Sequence, residues 1–468
     1  MPKTQQYLDS RIVDKINQYI AANSERAVPV TSYLHPAELG KKLNLKIPDA
    51  GCSQEELYRF IDLYLKYAVR TGHSQFFNQL WSGFTLPGFL GDLFTSLTNT
   101  SMYTYEVAPV ATLLEKTLIQ KMGLLAGFSD PEGIFMTGGS NGNLLAMMIA
   151  RNITLPRIKH QGYEEGSNLV VFVSDQSHYS FEKAANILGI GSSQVIKIKS
   201  DNRGSLIPEE LKLKIEQSLA AGKRPFFVAA TAGTTVLGAF DPCDRIAAIA
   251  HKHNLWFHVD GSLGGTVLLS PQHLNLLKGI EMADSFVWNP HKLMGLPLTC
   301  SVILLKEKGH LFRTNSTSGT EYIFHEDESG ACDLGPFSLQ CGRRVDVLKL
   351  WLSWMFYGNQ GYADRIDRFF ELAAYMEEIV HQHPRLELMA PRTSVNICFR
   401  YLPKTHLNIN DFNLRLRQKL AGAGICLVNY SYLGKNLVLR PVIANHELTR
   451  SDIDLFFNNL HATAEDLL

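Results

Sequence analysis

The sequence predicts an α/β protein: a large region built on a mainly parallel sheet, followed by a smaller α+β region. Three observations predict it. Short apolar runs with strand character recur between residues 133 and 305, and helical patterns lie between several of them. Strands separated by helices give a parallel sheet covered on both faces. Several runs end in small, polar or charged residues, where open α/β sheets carry their chemistry. At 468 residues and 45% hydrophobic composition, the chain can bury a large core spread over two or three domains.

Charge narrows the partners. Lysine plus arginine and aspartate plus glutamate each number 45, so the formal net charge is zero. No basic field is available to attract nucleic acid or an anionic membrane. The seven cysteines are scattered, odd in number and free of Cys-x-x-Cys spacing. That pattern points to reduced thiols in the cytoplasm rather than to disulfides or a metal site. The start Met1-Pro2-Lys3-Thr4 lacks the apolar core of a signal peptide. Uncharged runs such as 225–240 are rich in Gly and Thr and too short to span a bilayer. A soluble cytoplasmic enzyme is expected.

In chain order, Ile12, Ile16 and Ile20 recur at i+4 and predict an amphipathic first helix. A second helical pattern covers 54–69. From His73 to Glu106 the composition turns aromatic and rich in Gly, Asn and Thr, with Asp92 the only acidic or basic residue before Glu106. Such a stretch is expected to be irregular and to line a site. Helical periodicity returns over 107–122. Strands are expected at 133–137, 169–173, 194–198, 225–231, 255–259, 286–288 and 301–305, with helices at 144–151 and 208–219 among them. Pro208 suits a first helical turn. Residues 345–382 read as a long helix interrupted around Gly358–Gly361. The tail shows strands near 386–389, 395–401 and 437–439 and a helix near 410–421.

Chemistry concentrates at the strand ends. A short strand breaks at Asn289-Pro290, leaving Lys292 just past its end, beside Asn289 and His291 and ahead of apolar residues. A partly desolvated lysine attacks carbonyls as the free amine. Upstream, Leu255–Val259 ends in Asp260, and Gly261, Ser262, Gly264 and Gly265 let a flat molecule approach the backbone. Alone, Lys292 reads as a loop lysine and Asp260 as a helix cap. Together at successive strand ends they are the pair that pyridoxal phosphate needs: a Schiff-base lysine, and a carboxylate that keeps the pyridine nitrogen protonated. Gly139, Ser140 and Asn141 open a helix after a strand, where backbone N–H groups make an anion site. Their pattern is neither a Walker loop nor a dinucleotide fingerprint. His178 follows another strand and can stack on an aromatic ring and shuttle protons. Thr231 ends a further strand, with a hydroxyl for a ring oxygen.

Gly138-Gly139-Ser140, Ser177-His178-Tyr179-Ser180, the run from Thr231 to Pro242, His258-Val259-Asp260 and Asn289-Pro290-His291-Lys292 together resemble the pyridoxal-phosphate group II amino-acid decarboxylases. Within these the resemblance is to the glutamate, cysteine sulfinate and aspartate decarboxylases. It extends from Phe76 to the C-terminal end and is loose before that. It implies fold type I, aspartate-aminotransferase-like, in a homodimer with shared active sites. Residues 1–96 would be an N-terminal helical, dimerising segment, 97–345 the large cofactor-binding domain, and 346–468 the C-terminal α+β domain. Lys292 would be the Schiff-base lysine, Asp260 the pyridine partner, His178 the ring-stacking base and Thr231 the ring-oxygen partner. Gly139, Ser140, Asn141, Asn289 and His291 would hold the phosphate end. Where the family has Asp-Ala-Ala-Trp-Gly-Gly, this chain has Asp260-Gly261-Ser262-Leu263-Gly264-Gly265. Ser262 under the ring then bears on cofactor affinity.

The resemblance further implies α-decarboxylation of a small acidic L-amino acid. Tyr322, after the polar stretch 314–319, would return a proton to Cα. Arg440 ends the apolar run Leu437-Val438-Leu439 and would grip the α-carboxylate with two parallel bonds. Gln79, Ser101 and Tyr103 would surround the side-chain acid. Ser101 with Tyr103 is similar to cysteine sulfinate and aspartate decarboxylases, whereas glutamate decarboxylases resemble Asn and Phe there. The extra phenol fills space, so cysteine sulfinate or aspartate is expected over glutamate. Glutamate decarboxylation to GABA, another fold-type I reaction and a catalytically idle cofactor-binding homologue are the alternatives.

Overall fold

The computed structural model describes residues 10–164, 166–325, 330–404 and 407–468. Their strands are β1 Phe76–Phe77, β2 Glu132–Met136, β3 Leu169–Ser174, β4 Val195–Ile198, β5 Arg224–Thr231, β6 Trp256–Gly261, β7 Ser285–Trp288, β8 Ser301–Leu305, β9 Leu386–Leu388, β10 Phe399–Tyr401, β11 Leu427–Leu433 and β12 Asn436–Arg440. The chain packs into two compact units. Among the described residues, one comprises those of 84–373 with 390–396; the other gathers those of 10–83, 374–389 and 397–468. These units cut across the three expected segments, because residues 76–77 pair with the C-terminal sheet.

The larger unit holds a seven-stranded sheet in the order β2-β8-β7-β6-β5-β3-β4. All neighbours pair in parallel except at β8, which runs against both β2 and β7. Each of β3, β7 and β8 is buried along its whole length, the signature of a sheet covered on both faces. The Gly139–Thr154 helix packs Leu145, Ala146, Met147, Ile149 and Ala150 against Val171, Val173, Ala229, Val287 and Ile303. Burial of these side chains from water is what holds the layers together. Because β2, β3, β5, β6 and β7 point the same way, their C-terminal ends lie along one edge of the sheet.

The stretch 73–106, expected to be irregular, contains a helix over Leu86–Thr98. Pro87 sits in its first turn, and Asn99 closes it in the left-handed conformation at φ 46°. Its glycines serve close packing. A Cβ at Gly91 would stand 2.4 Å from Lys349 Cα. Tertiary contact thus overrides weak intrinsic propensity. The expected long helix is found at Asp346–Gln382, broken at Gly358 with φ 64°.

In the smaller unit the sheet order is β1-β11-β12-β10-β9. β11 and the helix Arg450–Glu465 were not expected from the sequence. The helices Ser10–Ala21 and Gln54–Tyr67 are linked by an Arg11–Glu55 ion pair at 2.9 Å, with Arg11 over the Tyr58 ring.

Candidate active site

Strand register brings the central groups together. Thr231 stands opposite Asp260 across β5 and β6, and Asp260 opposite Val287 across β6 and β7. Past the end of β7, the chain turns on a hydrogen bond from Lys292 N–H to Asn289 O at 3.0 Å. Asn289 and His291 are buried, and Lys292 is half-buried. The lysine's charge lowers the proton affinity of His178 and His291 and stabilises the Asp260 carboxylate. These groups therefore share one electrostatic environment.

Asp260 is 4% exposed. Burial works to raise its carboxyl, but the opposing contributions win and the net direction is down. Ser262 N–H donates to Oδ1 at 3.0 Å, Asn143 Nδ2 donates to Oδ2 at 2.8 Å, and Lys292 adds its charge. The carboxylate is ionised. His178, after β3, is held neutral, chiefly by burial. Its Nδ1 accepts Ser180 N–H at 3.3 Å, which leaves the proton on Nε2.

The helix that begins at Gly139 supplies the anion site. Gly138 has φ 154°, a conformation that side-chain-bearing residues rarely adopt. A Cβ at Gly139 would lie 2.4 Å from Ser262 Oγ and 2.9 Å from Asn289 Nδ2. Gly139, Ser262 and Asn289 thus converge, with Ser140 exposed and Asn141 half-buried beside them. His291 Nδ1 lies 2.7 Å from Cys300 O and 3.2 Å from Cys300 N, and burial pushes the imidazole down to about 4.

Two buried oxygens at this edge, Thr231 Oγ1 and Asn289 Oδ1, have no hydrogen-bond partner among the described residues. Orphaned polar atoms of this kind mark a place where another molecule completes the bonding. With the ionised Asp260, the half-buried Lys292 and the glycine-opened helix, the residues fit pyridoxal phosphate.

Sequence reasoning missed several residues that shape this edge. Asp241 accepts Thr231 N–H and Leu206 N–H, each at 2.7 Å, and so pins the end of β5; burial pushes its carboxyl up to about 7. Asn143 and His258 form the support behind Asp260. All three stand inside or next to the quoted motifs, but only the fold reveals which way they point.

The expected substrate residues divide between the two units. Ser101 Oγ accepts Arg343 N–H at 3.1 Å, and Tyr103 O accepts the N–H groups of Leu334 and Gly335. Tyr322 is 77% exposed, and the stretch 314–319 begins inside a helix, His310–Asn315. Gln79 and Arg440 belong to the smaller unit. There Arg440, the last residue of β12, is buried and donates from Nη2 to Asn78 O at 3.0 Å. It therefore sits one residue from Gln79.

The family model for the pyridoxal-dependent decarboxylase conserved domain matches residues 36–402. The chain is 38% identical to human (Homo sapiens) cysteine sulfinic acid decarboxylase over 465 residues, 97% of this chain and 94% of that protein. The crystal structure of mouse CSAD aligns with a TM-score of 0.92 at 37% identity, covering 98% of this chain and 100% of the other. Oryza sativa TDC, solved with PLP and tryptamine, shares the fold, with a TM-score of 0.90 at 23% identity over 99% of this chain and 100% of that one.

Proposed function

This chain belongs to the pyridoxal-dependent decarboxylase family, and on that premise we propose that it removes the α-carboxylate of a small acidic L-amino acid, with cysteine sulfinate foremost. It is a carboxy-lyase of the fold-type I architecture that the sequence led us to expect, and its cofactor is pyridoxal phosphate. One observation carries the substrate: the likeness to cysteine sulfinic acid decarboxylases runs along nearly the whole chain.

Bound pyridoxal phosphate supplies an electron sink for the bond that breaks at Cα. Lys292 would hold it covalently, and Asp260 would face its ring nitrogen. His178 would stack on the ring, and Thr231 Oγ1 would meet the ring oxygen. Gly139, Ser140, Asn141, Asn289 and His291 would surround the phosphate end, and Ser262 would pack beneath the ring. The ionised Asp260 would keep a proton on the ring nitrogen. Neutral His178 closes one face against water without adding a positive charge. We assign Arg440 to the α-carboxylate, and Gln79, Ser101 and Tyr103 to the side-chain acid, on the resemblance of their motifs. Tyr322 Oη gives the proton that Cα takes up after carbon dioxide leaves. A tyrosine so exposed on one chain is available to a site completed by a second copy.

We also assign a homodimer and a cytoplasmic location. Exposed apolar side chains on two helices of the larger unit support the dimer: Leu90, Leu93, Phe94 and Leu97 on Leu86–Thr98, and Val110 and Leu113 on Pro109–Leu125. On this reading the dimerising role falls to these two helices, and the cofactor is held by residues within 97–345. The free cysteines support a reducing compartment. No described helix is long and apolar enough to cross a membrane. The deciding experiment is carbon dioxide release by the purified, cofactor-loaded protein across a panel of amino acids. Cysteine sulfinate or aspartate should give the highest kcat/KM; glutamate or an aromatic amino acid in first place overturns the assignment.

A further inference from the structure

A single hydrogen-bond chain runs behind Asp260. Trp256 Nε1 donates to Ser285 Oγ at 2.8 Å, and Ser285 Oγ lies 2.8 Å from His258 Nδ1. His258 Nε2 lies 3.0 Å from Asn143 Oδ1, and Asn143 Nδ2 donates to Asp260 Oδ2 at 2.8 Å. Asn143 Nδ2 also donates to Ser180 Oγ at 2.9 Å. Every residue in the chain except Trp256 is buried.

Both ends have fixed polarity. An indole N–H only donates, and an ionised carboxylate only accepts. The carboxylate turns the Asn143 amide so that Nδ2 faces it and Oδ1 faces His258. Nε2 of His258 must then carry the proton, which leaves Nδ1 as an acceptor. The Ser285 hydroxyl donates to Nδ1, and its oxygen accepts from Trp256. No other arrangement of a neutral imidazole satisfies every link. The surroundings favour that neutral form. Phe227 stacks on the imidazole at 5.7 Å between ring centroids, Phe181 meets its edge at 6.1 Å, and burial pushes the ring down to about 4.

We propose that His258 is a positioning residue, locked as the neutral Nε2–H tautomer, which holds Asn143 in the one orientation that keeps Asp260 ionised and aimed at the cofactor's ring nitrogen. This rests on the role given to Asp260 above. It adds that the carboxylate's direction is set at Trp256 and Ser285, on the far side of His258.

The test uses the full-length protein labelled with 15N-histidine. Two-bond 1H–15N spectra, with the His258 signal assigned by its loss in His258→Gln, should show a protonated Nε2 and an unprotonated Nδ1 in both cofactor-free and cofactor-loaded protein. A protonated Nδ1, or an imidazolium, at neutral pH overturns the proposal. Cofactor affinity supplies the second readout. Gln retains a donor towards Asn143, so His258→Gln should bind pyridoxal phosphate within about threefold of wild type. His258→Met leaves Asn143 Oδ1 unsatisfied and should weaken binding by about tenfold or more. Equal affinity in the two variants refutes the relay. Asp260→Ala separates the two ideas: unchanged affinity there removes the role of Asp260 itself, whereas a loss there with no difference between Gln and Met at 258 removes only the relay.

Discussion

Arg343 and Glu115 form an ion pair with Nη1 2.9 Å from Oε1 and side chains only 4% and 1% exposed. The same guanidinium donates to the carbonyl oxygens of Met102 and Phe135, and Glu115 accepts Phe135 N–H. The pair therefore ties the strand Glu132–Met136 to the segment that carries Ser101 and Tyr103. Arg343→Met strands a buried carboxylate and should cost about 3–5 kcal/mol of stability. Urea unfolding measures it. Adding Glu115→Leu should recover part of the loss, and a double-mutant cycle with no coupling energy would contradict this role.

Lys292→Ala should leave no cofactor covalently attached after borohydride reduction, while wild type carries pyridoxyl label on Lys292. Peptide mapping reads the result. Label on another lysine removes the assignment.

Tyr322→Phe should bind substrate with little change and release the amine about a hundredfold more slowly, the usual worth of a general acid. Single-turnover kinetics separate the two effects. Unchanged turnover would assign the proton to another group.

Ser101→Asn combined with Tyr103→Phe should shift preference towards glutamate. One methylene of substrate length is worth about 1–3 kcal/mol, or roughly 10- to 200-fold in kcat/KM. Competition between cysteine sulfinate and glutamate measures the ratio, and a ratio that does not move detaches both residues from specificity.

Stability should fall in mild acid. Burial holds His258 and His291 neutral down to about 4, whereas each takes up a proton near 6.5 when unfolded. Unfolding therefore binds protons between those values. The contribution is complete above 6.5 and is lost as the pH falls towards 4, at up to about 1.4 kcal/mol per pH unit for each imidazole. Denaturation midpoints of the cofactor-free protein across this range measure the slope. A flat profile would mean that these rings are already protonated in the folded chain.

Much of this site was legible in the sequence because its chemistry sits at strand ends. Strand ends announce themselves as an apolar run that stops at a glycine, an asparagine or a charge. The seven strands of the large sheet lie within one or two residues of expectation, since runs such as Leu169–Val173 carry no competing helical period. The helix Leu86–Thr98 was missed because its glycines read as irregular backbone until Lys349 packs against Gly91 and Pro297 against Gly88. Asn143, His258 and Asp241 were invisible as functional groups for a related reason. A buried hydrogen-bond partner is defined by what lies across the sheet, and register is not written in spacing. Exposure decides the last case. Nothing in the sequence around Tyr322 says that its ring projects from the chain that bears it.

The pairing of Phe76–Phe77 with Leu427–Val428 sets an order of events during synthesis. About 350 residues separate the two partners, so at the usual 5–20 residues per second the ribosome needs roughly 20–70 seconds between making one and the other. Throughout that interval the large sheet can close, while two phenylalanines destined for burial wait uncovered. A nascent chain released between residues 305 and 427 would carry all seven strands of the large sheet and an unclaimed β-edge at its front. An exposed edge of that kind is a template for pairing with another chain, so a late truncation leaves a product prone to aggregate.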